Sequence, residues 1–148
     1  MRKKSFCPCY DRALSLLAAV EHCTRGLERK LLARGYEEAE VAETLRRLTA
    51  EKFLDDRRFA GLWIEFRQRR SNEGGRRLAE GLLRRGVHRD IAEAAVKEAS
   101  CTDEYREALM RAREKILAKG CDDDRALISL LMRKGFSRSE IKKCAETS

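Results

Sequence analysis

Apolar residues recur along this chain at intervals of three and four positions, and charged residues fill most of the positions between them. The clearest stripe is formed by Tyr105, Leu109, Ala112 and Ile116, whose spacing places four side chains on one face of a helix. Pro8 is the single proline, and no stretch of β-branched residues alternates with polar ones. The pattern therefore predicts an all-α fold.

A six-residue phrase occurs three times. It reads LLARGY at 31–36, LLRRGV at 82–87 and LMRKGF at 131–136. Each copy has the features of a helix end: leucine for packing, a basic residue near the negative end of the helix dipole, and a glycine that can adopt the left-handed conformation. Copies about 50 residues apart predict three similar units.

We expect a basic N-terminal tail at residues 1–10 and three-helix repeats at residues 11–53, 54–100 and 101–148. Units of this size bury too little surface to be stable alone, so neighbouring units must pack together or against a partner. In the first repeat, the predicted helices run from Asp11 to His22, from Cys23 or Thr24 to Gly35, and from Glu38 to Glu51.

Several polar residues precede the predicted helices and are suited to capping them. We expect caps from one of the pair Asp55 and Asp56, from Thr102 or Asp103, and from Ser137 with Glu140 as a capping box. The run 122–124 is three aspartates, which could suggest calcium. It lacks the alternating ligands and the distal glutamate of an EF-hand loop, so we interpret it as a capping segment.

The first helix of the second repeat carries the stripe Phe59, Leu62, Trp63 and Phe66, which we predict to face the core. Trp63 could instead be a ligand platform, but its helical spacing favours packing. The pair Gly74 and Gly75 follows this helix. We expect a flexible linker there, although two glycines before a helix could also bring backbone N–H groups to a phosphate.

The chain has a net charge of +8, from 33 lysines and arginines against 25 aspartates and glutamates. Most of the excess lies in one window, where eight arginines and two glutamates give +6. The arginines of this window, which we predict to bind an acidic partner, are Arg67, Arg69, Arg70, Arg76, Arg77, Arg84, Arg85 and Arg89. Arginine favours bidentate pairing with phosphate or carboxylate. Nucleic acid, an acidic protein groove and a merely solvated helix face all remain open.

Arg77 and Arg84 are seven positions apart and share a helix face. Gly81 lies between them and is expected to leave the backbone open there, while Leu78 and Leu82 point to the opposite side. Three equivalent base-reading repeats are disfavoured, because the third helix of the first repeat opens with several glutamates that phosphates would repel. Sequence-independent contact with phosphates remains open.

Catalytic chemistry has no support in the sequence. The two histidines, His22 and His88, lie in different units, and no known nucleophile, metalloprotease or phosphate-loop motif is present. Cys7 and Cys9 could bind a soft metal, with Cys23 and His22 as further ligands, but their spacing matches no common zinc module. We predict no enzyme activity, no cofactor and no metal. The sequence shows no export signal or membrane span, so we expect reduced thiols and a cytoplasmic location. We also expect a monomer.

The segment EHCTRGLERKLLARGY at 21–36 resembles the first-repeat signature of the RecX family, regulators of the RecA recombinase. FLDDRRFA at 53–60 is similar to the second signature, and GGRRL at 74–78, RGV at 85–87 and RKGF at 133–136 fall at matching places. The resemblance covers about residues 11–145. It implies three tandem three-helix repeats in an elongated, curved molecule. It also implies binding in the groove of the RecA filament on DNA, which limits strand exchange and co-protease activity.

Three positions depart from the family pattern. Cys23 stands in place of a serine cap, Gly26 in place of glutamate, and Gly75 in place of proline. We expect the first two to weaken their helix by about 1 kcal/mol each, and the third to loosen the turn before the arginine-rich helix. The expected partners are the RecA filament and DNA, bound directly or within the filament, and no membrane. A general DNA-binding module and a helical scaffold for another protein are the alternatives.

Overall fold

A computed structural model describes residues 7–147, and within them every regular element is an α-helix. The nine helices are α1 (Pro8–Ala19), α2 (Thr24–Ala33), α3 (Glu38–Ala50), α4 (Asp56–Ser71), α5 (Gly75–Arg84), α6 (Arg89–Ala99), α7 (Asp103–Ala118), α8 (Asp124–Arg133) and α9 (Arg138–Glu146). The predicted all-α class is confirmed. No helix in this part of the chain has both the length and the apolar character to cross a bilayer.

The helices pack in three consecutive groups, α1–α3, α4–α6 and α7–α9. The repeated phrase ends the middle helix of each group, and its glycines, Gly35, Gly86 and Gly135, have φ of +90°, +90° and +102°. The residue after each glycine donates its N–H back to the last turn, as Val87 does to the carbonyl of Leu82 at 3.1 Å. The helical repeat is thus confirmed, while the boundaries at 53/54 and 100/101 stay a prediction.

α1 begins at Pro8, three residues before the predicted start at Asp11. Proline is favoured in the first turn because its fixed φ suits the helix and its missing N–H would have no partner there. Residues 8–10 of the expected tail are therefore helical, and Cys9 is fully buried. Residues 1–6 of that tail lie outside the described part.

The predicted caps lie where the sequence places them. Asp55 accepts from the N–H groups of Arg57 and Arg58, Thr102 caps α7, and Asp123 caps α8. Ser137 and Glu140 form the predicted capping box at α9. The aspartates of 122–124 thus include a cap, as expected.

The side chain of Cys23 makes no capping hydrogen bond to α2. Its thiol instead donates to the carbonyl of Arg85 at 3.2 Å, in the second group. The carboxylate of Asp56 replaces the cap: one oxygen accepts from the Thr24 N–H at 2.7 Å and from the Thr24 hydroxyl at 3.0 Å. A residue 32 positions away therefore satisfies a donor at the start of α2.

Two hydrophobic cores run through the molecule. The first lies within α1–α3 and includes Leu27, Leu31 and Leu48, with Leu54 from the following joint. The second is continuous across α4–α9 and reaches from Leu78 and Leu82 to Ile141. The second and third groups therefore share one core, whereas the first group has its own.

The predicted core stripe of α4 is partly wrong. Phe59 and Trp63 are half-buried against the second core, but Leu62 and Phe66 are 47% and 55% exposed. The fully inward positions are Ala60, Ile64 and Gln68. α4 packs against α5, α6 and α7. Ala60 and Ile64 belong to the core that these helices share, and Trp63 covers Gly81 of α5.

The second and third groups are connected by backbone hydrogen bonds between the start of α5 and the end of α8, which we call the joint. The N–H of Gly74 donates to the Lys134 carbonyl at 2.8 Å, and the N–H of Arg76 donates to the Gly135 carbonyl at 3.0 Å. The N–H of Gly75 donates to the Tyr105 hydroxyl at 2.8 Å. Burial and the neighbouring Glu140 carboxylate raise the pKa of Tyr105, so its hydroxyl stays protonated and also hydrogen-bonds Glu140.

These contacts overturn two expectations about the glycine pair. It is not a flexible linker, because Gly74 is buried and both glycine N–H groups are hydrogen-bonded. Both N–H groups that could have bound a phosphate are therefore already hydrogen-bonded within the protein. Nor does Gly75 loosen the turn, because its N–H holds Tyr105, a bond that proline could not make.

Candidate arginine interface

Most of the predicted binding arginines lie on α4 and α5. In α5 the side chains of Leu78 and Leu82 are completely buried, which directs Arg76, Arg77 and Arg84 outward. The expected opposition of leucine and arginine faces on this helix is confirmed. The structure therefore presents guanidinium groups along the exposed face of α5.

Three of the eight arginines are held by the fold. Arg67 forms an ion pair with the buried Glu73, at 2.5 Å between Nη2 and Oε1. Arg85 lies over the Trp63 ring, with Cζ 4.8 Å from the ring centre. Arg76 donates from Nη2 to the Met132 carbonyl at 3.0 Å. These three side chains stabilise the second repeat and its joint with the third.

The other five are more available. Arg70 lies 5.7 Å from the centre of the Phe66 ring. Arg89 is 3.6 Å from Glu93 in a largely exposed ion pair, which contributes little to stability. Within residues 7–147, Arg69, Arg77 and Arg84 have neither a hydrogen bond nor an ion pair through the side chain, and all three are exposed. They are the strongest candidates for an external anion.

Gly81 does not leave the backbone open, contrary to expectation. A Cβ at this position would lie 2.3 Å from Cη2 of Trp63, so the indole ring covers the glycine. Arg67 and Arg85 flank the same ring, at 5.9 and 4.8 Å from its centre. Trp63 is thus a packing residue, as predicted. Its ring covers α5 at Gly81, between Arg77 and Arg84.

An exposed stripe on α4 was not predicted. Arg58, Leu62, Phe66 and Arg70 succeed one another at intervals of four, so they share one helix face. The two apolar members have no partner in the second core. Aromatic and arginine side chains dominate the energetics of many protein interfaces. The signal was present in the sequence, but helical spacing does not say which of two apolar faces is covered.

Three of the four residues considered for a metal, Cys9, Cys23 and His22, are in contact with other groups of the protein. Cys9 is buried beside Thr44, and the Cys23 thiol is bonded to Arg85. Both ring nitrogens of His22 are occupied, by the Val20 carbonyl at 2.7 Å and the Lys30 ammonium at 2.8 Å. Across residues 7–147 no three His, Cys, Asp or Glu side chains are grouped as metal ligands would be.

Comparison with known proteins places these features in a family. The family model for the first three-helix domain of RecX matches residues 9–48, and that for the second three-helix domain matches residues 55–96. The Regulatory protein RecX of Halorhodospira halophila is 32% identical over 139 residues, which cover 91% of this chain and 84% of that protein. The Mycobacterium sp. (strain KMS) protein of the same name is 31% identical over 134 residues, covering 85% of this chain and 73% of the relative.

Solved structures agree on the fold. The crystal structure of RecX from Lactobacillus salivarius superposes with a TM-score of 0.83 at 21% identity, over 94% of this chain and 93% of that one. A second crystal structure, of regulatory protein RecX, gives a TM-score of 0.79 at 17% identity, over 93% of this chain and 71% of the other. At these identities the likeness establishes the fold, and the sequence relatives establish the family. With two consecutive domain models and relatives aligned over most of its length, the chain belongs to the RecX family.

Proposed function

We propose that this chain is a non-enzymatic regulator of the RecA recombinase that binds in the groove of the RecA–DNA filament. It would mostly inhibit strand exchange, ATP hydrolysis and co-protease activity in DNA repair, acting as a cytoplasmic monomer. The observation that carries the proposal is the tandem match to the first and second RecX domains, together with relatives named Regulatory protein RecX.

The surface of the second repeat supports such a partner. Arg69, Arg77 and Arg84 offer unpaired guanidinium groups to phosphate or carboxylate. Leu62 and Phe66 offer exposed apolar area on the adjoining helix. A mixed surface of this kind suits a groove formed by protein and DNA together better than DNA alone, because naked duplex provides few apolar contacts.

The repeat explains a preference for filament over free RecA. A filament presents the same protomer surface at regular spacing, so similar units of one chain can contact neighbouring protomers. Once one unit is bound, the next binds at a high effective concentration, and weak contacts add up to a tight complex. Inhibition below one molecule per RecA protomer follows from this.

The test is a RecA strand-exchange and ATPase assay with the protein added below the RecA concentration. We expect both activities to fall. Replacing Arg69, Arg77 and Arg84 together by alanine should raise the concentration for half-inhibition by about tenfold or more, which is about 1.4 kcal/mol. The control replaces three exposed arginines of the first repeat, Arg12, Arg29 and Arg34, and so removes the same charge.

The proposal fails if wild-type protein leaves both activities unchanged. It is also contradicted if both triple variants lose inhibition equally, since diffuse charge would then account for the effect. Binding to filaments already saturated with DNA separates this function from general DNA binding. A RecX-type regulator still binds them, whereas a protein that recognises only free DNA does not.

A further inference from the structure

A basic cleft lies between the start of α5, the end of α7 and the end of α8. Four cationic side chains line it, from Arg77, Lys119, Arg133 and Lys134, and its volume is about 450 Å³. Ile116 and Leu130 contribute apolar walls. No carboxylate among the described residues lines the cleft. Of the eight arginines in the predicted window, Arg77 alone belongs to it.

Lys134 is held in place inside this cleft. Its ammonium donates to the Ser71 carbonyl at 3.2 Å, and the side chain is partly buried. Burial, followed by the charges of Arg77, Lys115 and Lys119, lowers the pKa of Lys134. Glu73 acts in the opposite direction, but its carboxylate is already paired with Arg67. The cleft therefore concentrates positive charge that the fold itself does not neutralise.

Helix dipoles explain only part of this arrangement. Cations are favoured at helix C-termini, and Lys119, Arg133 and Lys134 lie at the ends of α7 and α8. The preference for cations at a C-terminus acts on each helix separately. It does not explain why cations from three helices line the same cleft. Some cations elsewhere have a carboxylate partner, as Arg47 has in Glu51 and Arg58 has in Glu21. No carboxylate is paired with a cation of the cleft among the described residues.

We propose that this cleft binds the phosphate groups of a nucleic-acid backbone, independently of base sequence. Several cations along one opening match a chain of singly charged phosphates, and arginine forms bidentate bonds to phosphate oxygens. No aromatic side chain lines the cleft among the described residues, so it offers no surface on which bases stack. The site extends nucleic-acid contact to the third repeat, beyond the predicted arginine window.

The test measures anisotropy of a fluorescein-labelled 20-mer of thymidine at several salt concentrations, without RecA. The cleft variant combines Lys119→Gln with Arg133→Gln. Both side chains are exposed, and neither has a hydrogen bond or ion pair within residues 7–147. The matched control combines Arg29→Gln with Arg34→Gln on α2, which removes the same charge from an exposed surface.

We expect the cleft variant to bind about tenfold more weakly or worse, and to lower the slope of log K against log salt by about 1.4, since each lost phosphate contact on a single strand contributes about 0.7. The control should change neither quantity comparably. Inorganic tripolyphosphate should displace the labelled strand from wild-type protein more effectively than polyglutamate at equal charge. Thermal melts check that the cleft variant and the control are folded at the temperature of the binding measurement.

Equal weakening in both double variants would overturn the proposal, as would an unchanged salt slope in the cleft variant. Stronger displacement by polyglutamate would assign the cleft to an acidic peptide instead. Because RecA is absent from these measurements, their outcome is independent of the regulatory function proposed above.

Discussion

The joint between the second and third repeats depends on two glycines that touch through their backbones. A Cβ on Gly74 would lie 2.4 Å from the carbonyl carbon of Gly135 and from the nitrogen of Phe136. A Cβ on Gly135 would lie 2.7 Å from the nitrogen of Arg77. Main-chain atoms cannot move aside as side chains do, so Gly74→Ala or Gly135→Ala must separate α5 from α8.

The size of the effect follows from the bonds that would be lost. Separation breaks the hydrogen bonds from Gly74 N–H to Lys134 and from Arg76 N–H to Gly135. Leaving a donor unpaired costs about 1–3 kcal/mol, and two bonds are lost, so Gly74→Ala should lower the free energy of unfolding by about 2–6 kcal/mol. Gly135→Ala adds the penalty of a left-handed conformation, about 1–2 kcal/mol.

Gly35→Ala is the matched control. Gly35 has φ of +90°, close to that of Gly135, but a Cβ there would meet nothing within 4 Å. This variant should lose only the conformational penalty of about 1–2 kcal/mol. The double variant of Gly74 and Gly135 should lose less than the sum of the single variants, since both break the same joint.

Urea unfolding followed by circular dichroism provides the measurement, supported by thermal melts in which 1 kcal/mol corresponds to roughly 2–4 °C for a chain of this size. The reasoning is refuted if Gly74→Ala unfolds within about 1 kcal/mol of wild type. It is equally refuted if Gly135→Ala costs no more than Gly35→Ala.

Changes at three further positions, His22, Tyr105 and Asp56, are each measured by urea unfolding. Burial lowers the pKa of His22, and the Lys30 ammonium lies against its ring, so the unfolded chain binds a proton at His22 more readily than the folded chain does. The free energy of unfolding should therefore fall as pH drops through about 6.5, and His22→Gln should flatten that dependence. Tyr105→Phe leaves the Gly75 N–H unpaired and should cost about 1–3 kcal/mol. Because the pKa of Tyr105 is raised, wild-type stability should also decline above pH 10 more steeply than that of this variant. Asp56→Ala removes the cap on Thr24 and should cost about 0.5–2 kcal/mol; no change would show that α2 needs no cap.

Local signals predicted the helices well. The three glycine-ended phrases, the buried pair Leu78 and Leu82, and the Ser137 capping box each depend on residues within one or two turns. Because these interactions involve residues close together in the sequence, their positions could be predicted from the sequence. The family resemblance rested on the same windows and is confirmed by the comparisons.

Contacts between distant segments were not predictable in this way. Asp56 was expected to cap its own helix or none, yet it caps α2, because the turn of the chain brings position 24 beside it. Gly81 was interpreted as open backbone, but Trp63 fills the space from another helix. The exposure of Leu62 and Phe66 depends on which face of α4 its neighbours cover, and the basic cleft needs three helices to form.

Because α1–α3 has a core of its own, the first group is joined to the second more weakly than the second is joined to the third. The first group meets the rest mainly at Cys23 and through polar bonds such as Thr24 to Asp56, whereas α4–α9 are bound by a common apolar interior. Water can replace polar bonds more readily than it can enter an apolar interior. We therefore expect α1–α3 to open at a lower free energy than α4–α9, and amide exchange should detect this as earlier deuteration in α2 than in α5.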